Sequence, residues 1–425
     1  MMTNTFTPHV GGVARSVQSF TNEYRKRGHR VLVVAPEFEG TPENELDVVR
    51  MPAIQNFNGS DFSVALPVPG PLFSALDRFK PDIIHSHHPF LIGATAVRLA
   101  YTHEVPLVFT HHTMYEQYTH YVPGDSQALK RFVIGLSTSY ANLCDQVFAP
   151  SESIAGVIRQ RGVTVPIAVI PTGVHTELFI RGDGAGFRRA MNIPGQALVI
   201  GHLGRLAPEK NLEFLAHAVA EFLKAHNQAH FLVAGVGPSR EEMRQIFDRQ
   251  GVSSRVHFIG VLQHRELADA LHAMDVFVFT SKSETQGMVL TEAMAAGLPV
   301  IALDAPGVRE VVEDGKNGRL LKSEDIALYV AALHWFFSLS EEQLRQLKQS
   351  AIDTSQKFSI ERTADRALAL YEKLIHQEFV DRDEEYHIWK SARGLVRFEW
   401  EVLKGAVEAA GAALKIYDQS NKSKG

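Results

Sequence analysis

The chain has 425 residues, 45% of them hydrophobic and 21% charged, long enough for two domains that each bury a core and too apolar for a disordered chain. Its net charge of −5 argues against a dedicated nucleic-acid binder, which shows a basic domain. The single cysteine, Cys144, cannot form an internal disulfide and points to the cytosol. No apolar run approaches the roughly 18 residues of a spanning helix, and the N-terminus lacks signal-peptide regions. The expected location is therefore cytoplasmic, with any membrane contact peripheral, on the inner face.

Short apolar strands alternate with helical patterns, as in open parallel sheets. The first half predicts strands at Arg30–Ala35, Pro81–His85, Leu107–Thr110, Gln146–Ala149 and Ala168–Ile170. The second half predicts Leu198–Gly204, His230–Ala234, Val256–Ile259, Val276–Thr280 and Val300–Ala302. Each set suggests one doubly wound unit, residues 1–175 and 196–365. Residues 366–425 read as a closing helix and a helical extension, and the glycine-rich stretch Gly173–Gly195 as a linker. Only Met1–Thr5 precedes the turn Pro8–Gly12, less than a usual central strand. Either that strand is short or the natural start lies upstream.

Four places carry chemistry. Gly11-Gly12 opens a helix, and glycine lets backbone approach an anion at free N–H groups; taken alone, a tight turn looks the same. His85, His87 and His88 follow one predicted strand, and His111 and His112 follow the next. No acidic or cysteine ligand completes a metal site there, so a sugar-binding or structural role is expected. Gly204-Arg205-Leu206 ends a strand, with Lys210 close behind; a guanidinium fork and an ammonium together suit a diphosphate. In Ser283–Pro299, Glu284 and Glu292 lie about two helical turns apart if a helix starts near Gly287. A carboxylate accepts hydrogen bonds from vicinal hydroxyls, so one can hold a sugar and the other a ribose.

Other signals fail. Gly235-Val236-Gly237 follows a strand, but Arg240 stands where a dinucleotide fingerprint needs its third glycine. There is no P-loop. Asp381-Arg382-Asp383 lies in a charged run with no strand before it, and reads as a solvated helix face.

Together these residues resemble glycosyltransferase family 4, whose α/β fold is called GT-B: two Rossmann-like doubly wound domains facing across a cleft. The paired glutamates, Gly11-Gly12, Thr110-His111-His112-Thr113, Gly204-Arg205-Leu206 with Lys210, Gly235-Val236-Gly237-Pro238 and Gly297-Leu298-Pro299-Val300 fall in the family's order from Met1 to Gln377. The resemblance implies retaining transfer from a nucleotide sugar, without a metal or other cofactor. It implies His112, Arg205, Lys210 and Glu284 as the catalytic set. Donor contacts would come from Gly11, Gly12, Gly237, Gly287, Met288, Val289 and Glu292, and the base would meet backbone at His257–Gly260.

Within the family, Thr110–Glu116 with Tyr118, His120 and Tyr121, and Ser283–Gly287, resemble bacterial diacylglycerol glucosyltransferases. That implies UDP-glucose as donor, a membrane lipid as acceptor, and His87, Tyr115 and Tyr118 on the acceptor side. The amphipathic rings of Tyr115, Tyr118 and Tyr121 with Met114, and Lys130-Arg131 beside Phe132-Val133-Ile134, would suit a bilayer surface. The rivals are a soluble sugar acceptor and, in another class, a sugar-nucleotide epimerase. Leu395, Phe398, Val402, Ala406, Ala409, Ala413 and Ile416 mark one helix face, read as packing on the body or as a partner helix.

Overall fold

The computed structural model describes residues 1–9, 11–42, 45–54, 64–65, 69–117, 126–262, 264–282 and 284–377. Tyr118, His120, Tyr121, Ser283, Asp381–Asp383 and the helix face from Leu395 to Ile416 lie outside them. The chain forms two compact units. Unit 1 takes residues 1–150, 154–170 and 364 onward, and unit 2 takes Ser151–Ser153 and Pro171–Thr363.

Unit 1 begins with α1 (Gly12–Lys26), β1 (Val33–Pro36) and β2 (Val48–Met51), then the short antiparallel pair β3 (Ala53–Ile54) and β4 (Val64–Ala65). There follow α2 (Pro69–Phe79), β5 (Ile84–Ser86), α3 (Ile92–Thr102), β6 (Leu107–Thr110), α4 (Gln127–Ala141), β7 (Gln146–Ala149), α5 (Glu152–Gln160) and β8 (Ile167–Val169). Unit 2 holds α6 (Gly184–Ala190), β9 (Leu198–Leu203), α7 (Leu212–Ala225), β10 (Ala229–Ala234), α8 (Arg240–Arg249) and β11 (Val256–Gly260). It continues with α9 (His264–His272), β12 (Val276–Phe279), α10 (Met288–Ala295), β13 (Val300–Leu303), β14 (Gly318–Leu321), α11 (Ile326–Phe337) and α12 (Glu341–Lys357). The helix α13 (Ile360–His376) starts in unit 2 and ends in unit 1.

The first strand is short, and it is central. Met2 bridges Val34 on one side and Ser86 on the other, both in parallel. Thr3 N donates to Val34 O at 3.0 Å and Met2 N to His85 O at 2.8 Å. Met1–Thr3 therefore joins the parallel pair β1-β2 to the parallel ladder β5-β6-β7-β8. Unit 2 is one six-stranded parallel sheet in the order β11-β10-β9-β12-β13-β14. By rank in the unit this is 3-2-1-4-5-6, the Rossmann order.

Both faces of the unit 2 sheet are covered. Ile200, Phe231, Val233, Val276, Val278 and Ile301 pack into one core, and Val199, Leu232, Phe277, Phe279, Val300 and Ala302 into another. A strand buried on both sides is apolar at nearly every position, which is why these strands stood out as continuous runs. Strands β2 and β14, missed from the sequence, break that rule: β2 is mostly half-buried and β14 carries Arg319.

The stretch Gly173–Gly195, read as a linker, belongs to unit 2. Asp183 caps α6 by accepting from Gly186 N at 2.7 Å. A side-chain carbon on Gly184 would lie 2.1 Å from His272 O. Gly182 and Gly184 serve close packing on α9. Gly235 and Gly237 serve the same end: at φ of +138° and +153° they leave the range of ordinary residues. A Cβ on Gly237 would stand 2.2 Å from Leu206 O, because Leu206 N donates to Val236 O and Ser239 N donates to Leu206 O, each at 2.9 Å.

Gly237→Ala is therefore expected to lower stability by at least about 1 kcal/mol. Urea unfolding checks this, and an unchanged midpoint and slope would refute the close approach.

Candidate active site

In a doubly wound sheet, ligands bind outside the C-terminal ends of the strands where the strand order reverses. In unit 2 that point lies between β9 and β12, which pair through Ile200–Val276 and Gly201–Phe277. Beyond β9 the chain runs through Arg205 into a single 3-10 turn, Pro208–Lys210, and Asn211 at φ 55° opens α7. Beyond β12, the hydroxyl of Thr280 donates to Lys210 O at 3.0 Å and to Asn211 O at 3.1 Å. The two loops are thus fastened together, and across them the Lys210 ammonium pairs with the Glu284 carboxylate.

Both cations named from the sequence already hold carboxylates. Lys210 holds Glu284, and both side chains are largely shielded from solvent. Arg205, with a side chain 52% exposed, holds Glu209. Gly287 at φ 71° starts α10, whose first turn contains Met288 and Val289. Backbone N–H groups of a first turn have no helical partner and suit an anion. Glu292 lies farther along the same helix at 6% exposure, a buried carboxylate rather than a solvated helix residue.

His202, on β9, was not singled out from the sequence. Its Nδ1–H donates to Val278 O at 3.0 Å across the switch point. Its Nε2 is buried with no hydrogen-bond partner among the described residues. Burial lowers its pKa to about 4, with Lys210 pushing the same way, so the ring is neutral and Nε2 is a bare acceptor. Gln286 also escaped notice; its amide is buried against Thr172 backbone. A histidine inside an apolar strand, and a glutamine between two site residues, are the only sequence marks these two leave.

Unit 1 presents a different surface. His87 and His112 stack at 5.2 Å between ring centres, and their Nδ1 and Nε2 atoms lie 2.9 Å apart. His87 Nε2 meets the Met1 sulfur at 3.2 Å. A thioether donates nothing, so His87 carries its proton on Nε2, its Nδ1 accepts, and His112 is protonated on Nε2. His85 contacts the Thr110 hydroxyl at 2.7 Å through Nε2 and the Tyr371 hydroxyl through Nδ1. His88 Nδ1 accepts from Asn4 N at 3.0 Å.

Burial is the largest cause that keeps all five imidazoles neutral. It sets His88 and His112 at about 3 and His111 at about 4, and holds His85 and His87 well below the usual range. Among the described residues, no group of three or more such side chains is placed to hold a metal ion.

Gly11 is the extended N-cap of α1, and a Cβ there would approach the His9 ring at 3.1 Å. A Cβ on Gly12 would meet nothing within 4 Å, so packing among the described residues does not demand glycine there. Tyr115 packs edge-on against Phe90 and His111. Its hydroxyl is buried without a partner among the described residues, and burial raises its pKa. Met114 is buried as well. Met114 thus faces the interior of unit 1, while Tyr115 is half-buried with its hydroxyl turned inward. On α4, Arg131 and Phe132 are exposed while Lys130, Val133 and Ile134 are half-buried.

Residues 10–178 match the Glycosyltransferase Family 4 domain, and residues 186–354 match the Glycosyl transferases group 1 domain. The GDP-mannose-dependent alpha-mannosyltransferase of Mycolicibacterium smegmatis is 30% identical over 79% of this chain and 87% of its own length. The chain belongs to glycosyltransferase family 4. Another relative, the alpha-monoglucosyldiacylglycerol synthase of Streptococcus pneumoniae, is 28% identical over 76% of this chain and 75% of its own length. Among solved structures, Anabaena HepE in complex with UDP-glucose matches with a TM-score of 0.68 at 20% identity, covering 88% of this chain and 99% of that one. The fold is GT-B, with two Rossmann-like parallel α/β units, and the chain is a glycosyltransferase.

The buried neutral histidines make this family 4 chain sensitive to acid. A group whose pKa is lower folded than unfolded leaves stability whole above the unfolded value and erodes it as pH falls toward the folded one. For His88 that window runs from about 6.5 in the unfolded chain down to about 3. Each such imidazole contributes a slope of about 1.4 kcal/mol per pH unit within its window. His88→Asn keeps an acceptor for Asn4 N and removes one titrating group, so its unfolding free energy should fall less steeply between pH 6 and 4. Equal slopes for variant and wild type would contradict the buried neutral state.

Proposed function

We propose that the chain is a retaining hexosyltransferase that moves glucose from UDP-glucose to a membrane lipid, diacylglycerol first. The observation that carries the reading is the Lys210–Glu284 pair over the unit 2 switch point. An ammonium beside a carboxylate, where a Rossmann sheet receives its ligand, supports a site that takes a diphosphate and sugar hydroxyls together. The name of the Streptococcus pneumoniae relative supports glucose and diacylglycerol.

On this reading Arg205, Lys210 and the start of α10 at Met288 and Val289 take the diphosphate, with Gly11, Gly12 and Gly237 as further donor contacts. Glu284 takes the sugar and Glu292 the ribose. The leaving diphosphate gains charge as the glycosidic bond breaks, and fixed cations stabilise that charge without a metal. The departing phosphate oxygen takes the acceptor's proton, so the new bond forms on the face that the leaving group vacates. His112, neutral and protonated on Nε2, offers Nδ1 to a sugar hydroxyl. His87 holds His112 in that state, and with Tyr115 and Tyr118 belongs to the acceptor side. Among the described residues no helix is long and apolar enough to cross a membrane; α4, with Lys130, Arg131 and Phe132, is the surface offered to anionic lipid.

Arg205→Ala and Lys210→Ala should each lower turnover by about 10²–10³ while thermal stability changes little. Near-wild-type turnover of either at saturating donor would refute the diphosphate assignment.

The acceptor is tested with anionic vesicles at low salt, alongside transfer from UDP-glucose to diacylglycerol in micelles. Sedimentation with vesicles and a chloroform-soluble product are expected. Transfer only to a water-soluble sugar, without vesicle binding, would remove the lipid acceptor and leave the glycosyltransferase.

A further inference from the structure

The carboxamide of Gln286 pairs with the backbone of Thr172 at both ends. Thr172 N–H donates to Oε1 at 2.6 Å, and Nε2–H donates to Thr172 O at 2.5 Å. Both residues are buried. The arrangement copies one rung of a sheet with a side chain in place of a strand, and it satisfies two backbone groups that would otherwise be costly in the interior.

The neighbours of this contact give it meaning. Gln286 lies two residues after Glu284 and one before Gly287, where α10 begins. Thr172 lies one residue after Pro171, where the chain enters unit 2 from β8. Ser151, also of unit 2, donates its hydroxyl to Thr285 O at 2.8 Å. On the other side, Gly307 lies so close that a Cβ on it would stand 2.6 Å from Gln286 N. Two residues farther on from Thr172, Val174 N donates to Phe358 O at 2.8 Å, and Val174 O accepts from Ile360 N at 2.9 Å. The loop bearing Glu284 is thus wedged between Gly307 and the segment entering unit 2, and that segment is fastened in turn to the start of α13.

We propose that Gln286 is a positioning residue for sugar transfer: it clamps the Glu284 loop to the segment by which the chain enters unit 2, and so sets the Glu284 carboxylate. The proposal rests on the reading of Glu284 as the group that takes the donor sugar. Gln286 touches no substrate. It acts through Glu284, which has Lys210 as its partner on the opposite side. A displacement of about 1 Å at a reacting group costs about 10²-fold in rate, while the bare nucleotide, which makes no contact with Glu284, should not register the change.

Two substitutions test the clamp. Gln286→Met keeps the volume and loses both hydrogen bonds. Gln286→Glu keeps the shape; its carboxyl, when protonated, can both donate to Thr172 O and accept from Thr172 N–H, and when ionised cannot donate. Steady-state transfer from UDP-glucose is measured from pH 8 to pH 5, with UDP binding by calorimetry and amide hydrogen exchange at Thr172 and residues 284–287 without donor. Gln286→Met should lose about 10²-fold in kcat with UDP affinity within about twofold of wild type. Gln286→Glu should regain kcat relative to wild type as pH falls, because burial favours the neutral acid, and Gln286→Met should show no such recovery. The Thr172 amide should exchange slowly in the wild type and faster in Gln286→Met.

Wild-type kcat in Gln286→Met, or a flat pH ratio in Gln286→Glu, overturns the positioning role. Unaltered Thr172 exchange in Gln286→Met overturns the clamp whatever the activity. If Gln286→Met does not fold, the pH ratio of Gln286→Glu decides alone. A wild-type chain with a protected Thr172 amide that transfers sugar from no nucleotide sugar overturns the functional reading instead.

Discussion

Two parallel strands side by side whose connections leave in opposite directions keep an open edge at their C-terminal ends, and the chemistry of unit 2 grows from that constraint. Between β9 and β12 no connection crosses the edge, so polar groups from both loops can turn toward the same space. Thr280 spans the edge with its hydroxyl, Lys210 and Glu284 span it with their charges, and His202 spans it below with a ring nitrogen. The sheet beneath is buried on both faces and cannot shift to accommodate them. Every polar group at the edge therefore inherits the rigidity of the core.

The two units use their strand ends in contrasting ways. In unit 2 the side chains there are ionic and partly shielded, suited to a ligand that carries its own charge. In unit 1 they are imidazoles stripped of charge by burial and locked by mutual hydrogen bonds. A wall of neutral donors and acceptors matches hydroxyl groups, which need direction more than charge. The Tyr24–Tyr371–His85 contacts extend this wall into α1 and α13, so α13 helps complete the interior of unit 1.

How much of this could be read from sequence depended on whether a feature was local. Continuous apolar runs such as Val276–Phe279 exposed the strands of the unit 2 core within about a residue, and the turn at Gly287 marked the start of α10, whereas β1 and β5 begin at Val33 and Ile84, later than the predicted Arg30 and Pro81. Strands without that signature were lost: Val48–Met51 is half-buried, and Gly318–Leu321 carries an arginine at the sheet edge. Met1–Thr5 looked too short for a central strand, yet a single bridging residue with partners on both sides is enough to join two ladders. Gly182 and Gly184 looked like slack, because a sequence does not show that another helix lies against them. The residue types of the site were legible, but their partnerships were not. Lys210 and Glu284 are 74 positions apart, and Gln286 and Thr172 are 114 apart.

The self-pairing of the unit 2 cations has a consequence for discrimination. Arg205 and Lys210 do not form a bare positive pocket; each already has a carboxylate, Glu209 and Glu284. An inorganic anion that displaced them would strand two carboxylates with nothing to accept from, and would gain little from the exchange. On the proposed function, a nucleotide sugar brings phosphate oxygens for the released cations and hydroxyl protons for the released Glu284. On that reading, the resting ion pairs favour the ligand whose two ends arrive together over one that offers charge alone.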